Sequence, residues 1–420
     1  MSDNARGARR RVVITGIGVV SALGNTTAAF WKGILQGRCG IERLTLFEVS
    51  GYRSQLGAQV RDLEAGRYLP AKSLRRMSRC DQMGFVAARE ALQDSGISWE
   101  RMDRERFGII VGGGAGGIGT AESFYEDYYR KGASFAHPLQ VFPTPPNMVT
   151  DWICLEYGLR GPRSTVVTAC SSSATSIGYA ADLIRYGQAD FMLAGGSDAM
   201  CQLTFAGFNS LRALDEGPCR PFDAQRKGIS LGEGAALLVL EEAEHALARK
   251  ARIYGEFAGY GISCDAHHMT APDSKGEGAV RAMASALADA GLSPEAVDYV
   301  NAHGTGTQYN DLVETLAIKT VFGERAYHLP VSSTKSMVGH CLGAAGGIEA
   351  AATALAIHYQ TAPPTIHYEH RDPQCDLDYV PNQSRRQKIK VALSNSFAFG
   401  GNNTALVIRE FRPSLIEKGE

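Results

Sequence analysis

Short runs rich in Val, Ile and Leu recur along the chain, separated by longer stretches in which apolar residues return every three or four positions. The short runs predict strands at Arg11–Thr15, Phe107–Val111, Thr165–Thr168, Phe191–Ala194, Ala235–Leu240, Val297–Ala302, Val331–Thr334, Ile389–Leu393 and Ala405–Arg409. The longer patterns predict helices, among them Arg75–Ser95, Thr175–Tyr186, Gly278–Ala290, Leu312–Phe322 and Gly347–Tyr359. Strands apolar on both faces, alternating with helices, read as α/β with a mostly parallel sheet covered on both sides. No Ser/Pro linker or low-complexity segment interrupts the pattern. The best internal seam lies near Tyr254–Ser263, where a helix rich in Ala, Glu and Lys gives way to another strand.

Composition narrows the function classes. The 420 residues exceed one average domain, and 44% apolar against 21% charged residues supports a large core rather than disorder. A net charge of −1 argues against a nucleic acid or an anionic membrane as the main partner, because those select a cationic face. Nine cysteines with no C-x-x-C pair form neither a disulfide framework nor a zinc spacing. Free thiols in that number fit a reducing cytoplasm, and no metal site is expected. The basic "RGARRR" before "VVITGIGVVSALG" imitates a secretory signal, but three glycines and β-branched residues there predict a buried strand and turn instead. No apolar run reaches the ~18–20 residues of a membrane span.

Two Gly-rich segments invite a dinucleotide reading. "VVITGIGVVS" has Ser21 where the third glycine belongs. "FGIIVGGGAGGIG" satisfies G-x-G-x-x-G twice after a strand, but no second strand follows to carry an acid for the ribose, so a structural loop is expected. "GISLG" centres Ser230 in a nucleophile-elbow pattern, yet a charged stretch precedes it and a strand follows, which is the wrong context.

Four turns carry stronger chemistry, each placing a reactive residue just past the end of a strand, where sites form in α/β sheets. In "STVVTACSSSATSIGYAADLIRYG", Cys170 falls between a strand and a helix N-terminus, where unpaired N–H groups favour a thiolate and predict a lowered pKa. The other eight cysteines read as small buried apolar residues. In "VDYVNAHGTGTQYNDLVET", His303 enters a Gly-rich turn, with Asp311 and Glu314 opening the next helix. "LPVSSTKSMVGHCLGAAGGIEAAATALAI" offers Lys335 and His340 before a helix carrying Glu349. "VALSNSFAFGGNNTALVIRE" holds Phe397 and Phe399 beside Gly400 and Gly401.

"TACSSS", "NAHGTGT", "SSTKSMVGHCLGAAG" and "SNSFAFGGNN", in this order, resemble β-ketoacyl-acyl-carrier-protein synthases, the elongating condensing enzymes of type II fatty acid or polyketide synthesis. The likeness runs from "RRVVITGIGVVSALGN" to the last strand, includes "RPFDAQRKGISLGEGAALLVLEE", and is greatest to the KAS II branch. It implies the thiolase fold: two related βαβαβ halves in five αβαβα layers, placed here at residues 1–259 and 260–420. It implies decarboxylative condensation of an acyl chain with malonyl-carrier protein, with no cofactor beyond the carrier's phosphopantetheine. It further implies a homodimer or a heterodimer with a chain-length-factor-like subunit.

By the same likeness Cys170 is the acyl-accepting nucleophile, His303 and His340 serve decarboxylation, and Lys335 organises them with Glu349 as its partner. Phe399 matches the family's gate, and its N–H with that of Cys170 matches the oxyanion hole. Thr270, Thr305 and Thr307 match the phosphopantetheine tunnel, with Phe397 among the substrate contacts. Lys72, Arg75, Arg76 and Arg79, expected to open a helix, resemble the element that docks the acidic carrier; an ordinary solvated helix face is the alternative. Three departures stand out. Cys341 follows His340 in place of Thr, Ser or Leu, and reads as a passive core thiol. Ala398 replaces a glycine between the phenylalanines and predicts a stiffer gate. Ala115 replaces a larger aliphatic residue at the acyl-pocket floor and predicts room for longer or stiffer chains; "TACSSSAT" is likewise closer to polyketide-type turns. The rival readings are a thiolase, which needs a second cysteine that "SFAFGGNN" lacks, and a non-catalytic chain-length factor, which lacks the nucleophile.

Overall fold

The computed structural model describes residues 9–100 and 102–413, so the start of the basic "RGARRR" segment lies outside the described residues. Ten main strands form one sheet: β1 (Val12–Val20), β2 (Phe107–Gly112), β3 (Arg163–Val166), β4 (Phe191–Asp198), β5 (Gly234–Glu242), β6 (Gly255–Cys264), β7 (Tyr299–Asn301), β8 (Val331–Ser332), β9 (Val391–Ala398) and β10 (Asn402–Arg409). Seven helices matter here: α1 (Arg79–Asp94), α2 (Ile118–Lys131), α3 (Ser172–Arg185), α4 (Gln202–Ser210), α5 (Glu277–Asp289), α6 (Gln308–Phe322) and α7 (Ala345–Tyr359).

Spatially the strands run β8-β7-β9-β10-β6-β1-β5-β4-β2-β3. Numbered within each half, this is one order, 3-2-4-5-1, written twice and joined where Val12–Ile14 pair with Gly255–Phe257. The pairing directions repeat as well, β2 lying parallel to β3 and β4 as β7 does to β8 and β9. The sheet is therefore mixed rather than mostly parallel, because β1 and β5, and likewise β6 and β10, add antiparallel ladders. A run such as "GAALLVLEE" reports burial on both faces and says nothing of strand direction. Residues 255–259, assigned from sequence to the first half, are hydrogen-bonded into the second as the opening of β6.

The five layers follow from three core clusters. α3 and α7 share the central one with both halves of the sheet; α1 covers the first half from outside, and α5 and α6 the second. Gly16 and Gly18 of the rejected dinucleotide pattern have a packing reason: a Cβ at either would strike the backbone of α1. Gly259 and Gly261 stand in the same relation to α5, so the repeat extends to helix–strand contact. The signal-like stretch is a buried central strand. The first long helix starts at Arg79, later than the apolar pattern predicts, because Ser78 and Asp81 form a capping box there.

Candidate active site

The carboxyl ends of the strands from both halves meet around a cavity of about 360 Å³. Cys170, His303, His340, Thr270, Thr305, Thr307, Phe397 and Phe399 line it, so eight residues chosen from four separate turns and one loop converge. Lys335 and Glu349 stand behind them, and Ala115 is not in the wall. Ala115 packs in a cluster with Met200, Phe205, Leu342 and Ile229, which backs the cavity at Ile229 and Phe208.

Cys170 follows β3 on a sharp turn. Ala169 holds φ at +53°, a left-handed conformation unusual for a residue with a Cβ, and α3 starts two residues after the thiol. The expected drop in thiol pKa is not what the site produces. Burial pushes the Cys170 thiol up to about 11, against the opposing pull of the Lys335 charge and the Phe399 backbone N–H. The free thiol is neutral and shielded.

Both imidazoles are buried, with ring centres 5.5 Å apart and planes nearly perpendicular. Their tautomers follow from their neighbours. The Leu342 N–H donates to Nδ1 of His340 at 3.0 Å, and the Lys335 ammonium donates to Nδ1 of His303 at 3.1 Å. Each ring therefore carries its proton on Nε2. Burial, helped by the Lys335 charge, holds both rings neutral, lowering His340 to about 3 and His303 well below its usual value.

Lys335 donates twice more, to the His303 carbonyl at 2.7 Å and to Glu349, whose other oxygen accepts from Ser396. Burial raises the Glu349 carboxyl and Lys335 opposes it, so the two charges are buried together as a pair. The His303 turn is clasped from α6. Glu314 accepts the N–H groups of His303 and Gly304 at 2.8 Å, and Asp311 those of Thr305 and Gly306. That clasp is what the two acids opening the helix do.

Phe399 is 37% exposed and stacks on Phe208 of α4 at 5.7 Å. Gly400 and Gly401 after it hold φ at +79° and +74°, whereas Ala398 is plainly extended at −122°. Ala398 is therefore unstrained in this conformation, which any residue adopts. The loop is tied to its neighbour through Gly400 N–H to the Met269 carbonyl and Asp265 N–H to the Gly401 carbonyl.

The remaining sequence candidates divide. Lys72, Arg75 and Arg76 are exposed, on and after a short helix (Ala71–Leu74) that precedes α1. Arg79 does not join them: its guanidinium turns inward onto the fully buried Glu233 and the Val60 carbonyl. Arg79→Ala is expected to strand that carboxylate and cost about 3 kcal/mol of stability, read as a lowered Tm. Cys341 is buried against carbonyl oxygens, with burial driving its thiol far up, as a passive core residue should be. Ser230 is equally structural, accepting the Cys219 N–H while its carbonyl takes that of His340. Asp198, Phe208 and Asp265 escaped the sequence reading. Asp198 carries the one usable signal, an acid ending an apolar strand beside two Gly-rich turns.

A thiol on a strained turn, two neutral imidazoles each presenting Nε2–H, and a buried ammonium between two thiolase-like halves define a condensing enzyme. The chain belongs to the β-ketoacyl synthase family, whose N-terminal domain matches residues 9–246 and whose C-terminal domain matches residues 254–369. It is 44% identical over 411 residues to a 3-oxoacyl-[acyl-carrier-protein] synthase 2 of Synechocystis sp., covering 96% of this chain and 99% of that one. A synthase of the same name from Coxiella burnetii is 45% identical over 407 residues, covering 95% and 98%. Among solved structures the chain resembles the ishigamide ketosynthase/chain length factor, with TM-score 0.93 and 38% identity over 96% of this chain and 100% of that one. It also resembles a type II polyketide ketosynthase solved with its acyl-carrier protein and bound to the hexaketide, with TM-score 0.88 and 36% identity over the same shares.

Proposed function

We propose that the protein elongates carrier-bound acyl chains by decarboxylative condensation, with Cys170 as nucleophile and His303 and His340 as donors to the enolate. The observation that carries this reading is that both imidazoles line the cavity with Cys170 while their Nδ1 atoms are engaged, which leaves each ring's Nε2–H free to donate. In the first half-reaction the Cys170 sulfur bonds the acyl carbon, the carbon–sulfur bond to phosphopantetheine breaks, and the released thiol carries away the proton. In the second, malonyl-carrier protein loses CO2, and the electron pair left behind forms an enolate whose oxygen accepts from both imidazoles. The enolate carbon attacks the thioester carbonyl, whose oxyanion takes the N–H groups of Cys170 and Phe399. Collapse expels the Cys170 thiolate, which is reprotonated, and leaves a β-ketoacyl chain on the carrier. Neutral imidazoles suit this chemistry because each donates through Nε2–H without the cost of burying a further positive charge beside Lys335.

Thr305 and Thr307, with hydroxyls 2.9 Å apart, and Thr270 offer hydrogen bonds along the cavity to the amides of phosphopantetheine, which needs no other cofactor here. Exposed Lys72, Arg75 and Arg76 fit an acidic carrier. Replacing all three with Ala should raise KM for carrier-bound substrates roughly tenfold, flatten the salt dependence, and leave turnover of a free pantetheine thioester unchanged. An unaltered salt dependence would return them to an ordinary solvated face.

Helix α2 buries no side chain, exposing Tyr125, Tyr128 and Tyr129, and Val167 is exposed beside the edge strand β3. These exposed apolar residues, together with an edge strand that has no outer neighbour among the described residues, support a second copy of the chain as the working partner. Light scattering at the mass of a dimer tests it, and a monomer that dimerises only with a chain-length factor would replace it.

Ala115 sits in the apolar cluster behind the cavity wall, and its small side chain there supports an acyl pocket that can extend past Ile229 and Phe208 to take longer or stiffer chains, including polyketide or polyene intermediates. Turnover should hold up along an acyl-length series, and Ala115→Phe should shorten the limit. A sharp short-chain limit in the unaltered protein would sink this reading.

A further inference from the structure

Asp198 ends β4, is fully buried, and does not line the cavity. Its carboxylate gathers backbone N–H groups from two loops that belong to different halves of the chain. Oδ1 accepts from Ala115 at 3.0 Å and Gly116 at 3.1 Å; Oδ2 accepts from Gly114 at 2.9 Å and Gly343 at 2.8 Å. The loops are in contact, since a Cβ on Gly343 would strike the backbone of Gly113 and Gly114. These N–H groups of a Gly-rich loop are thus taken by the protein's own anion. A buried carboxylate with four donors makes strong, directional bonds, because the low-polarity surroundings offer it no other partner.

The second loop leads to the chemistry. Gly343 follows Leu342, a non-glycine residue at φ +52°, and the Leu342 N–H is the group that sets the tautomer of His340. On the first loop, Ala115 shares an apolar cluster with the Leu342 side chain. One carboxylate therefore spans the wall behind the proposed acyl chain and the turn that aims an imidazole.

We propose that Asp198 is a positioning residue that clamps Gly114–Gly116 to the Leu342–Gly343 turn, so that it fixes His340 for enolate stabilisation and sets the acyl-chain length admitted beside Ala115. The proposal rests on the roles given above to Cys170 and His340. Asp198 touches no substrate. It acts through the N–H groups it holds, and its loss should move both loops together.

Asp198→Asn keeps the shape but turns an NH2 group toward backbone donors. With a short acyl chain, the acyl mass on Cys170 should match that of the unaltered protein. kcat for condensation with malonyl-carrier protein should fall on the order of 10²-fold, the scale of a misplaced reacting group, with KM unchanged. Asp198→Glu keeps both acceptor oxygens, so it should restore most of kcat while shifting the longest chain accepted, and it decides the matter if the Asn variant does not fold. A merely structural role would reduce the yield of folded protein and leave kcat and chain limit per folded molecule untouched; either variant behaving so would overturn the clamp. No acyl mass on the unaltered protein would overturn the reading of the site, and the clamp with it.

Discussion

Cys170→Ala should carry no acyl mass after incubation with acyl-carrier protein, while the unaltered chain gains one acyl group. Condensation should fall on the order of 10⁶-fold, the scale seen when a covalent nucleophile is removed. The reason is positional. Nine thiols are free, yet Cys170 alone is both on a strained strand-to-helix turn and in the wall of the cavity with two imidazoles. Cys341 is next to His340 in sequence but faces carbonyl oxygens instead. Intact-mass measurement decides between them. An adduct on the variant as well would move the nucleophile to another cysteine, and no adduct on either protein would turn the chain into a partner subunit.

His303→Ala and His340→Ala should separate the two half-reactions. Each variant should still take an acyl group on Cys170, because the thioester exchange does not need an enolate donor. Each should lose decarboxylation of malonyl-carrier protein by about 10²–10³-fold, the cost of one preorganised donor to a developing oxyanion. His303→Ala should be the more damaging, since it also takes an acceptor from Lys335, a buried ammonium whose charge is otherwise matched by Glu349 alone. Release of CO2 measured beside acyl mass checks both statements. Loss of acylation in either variant would reassign that histidine to thiol activation.

The site was more legible from the chain than its electrostatics were. His303, His340 and Phe399 each adjoin a glycine and Cys170 stands just past the apolar end of β3, local signatures that survive folding because strand ends and turns are set locally. The thiol's pKa was misjudged for the opposite reason. The helix terminus is visible in sequence, but the burial that outweighs it comes from β9, the Leu342–Ala344 turn and α7, which pack on the Cys170 turn from far along the chain. Strand direction failed similarly, since two-sided burial erases the alternation that would mark an antiparallel ladder. Arg79 looked like one more surface cation in a basic cluster. Its partner Glu233 lies 154 positions away, and no local pattern points to it.

The twice-written strand order places loops in matching positions and fills them differently. After the second strand, one half sets Gly114–Gly116 and the other His303; after the third, one sets Cys170 and the other Lys335; at the end of the fourth, one sets Asp198 and the other Phe399. Matching scaffolds thus carry non-interchangeable cargo. Two copies of the first half would bring together a pair of thiols with no imidazole between them, and two copies of the second would offer proton donors with nothing to hold an acyl chain. Symmetry in this backbone delivers six loops to one place, and its usefulness depends on the side chains having abandoned that symmetry.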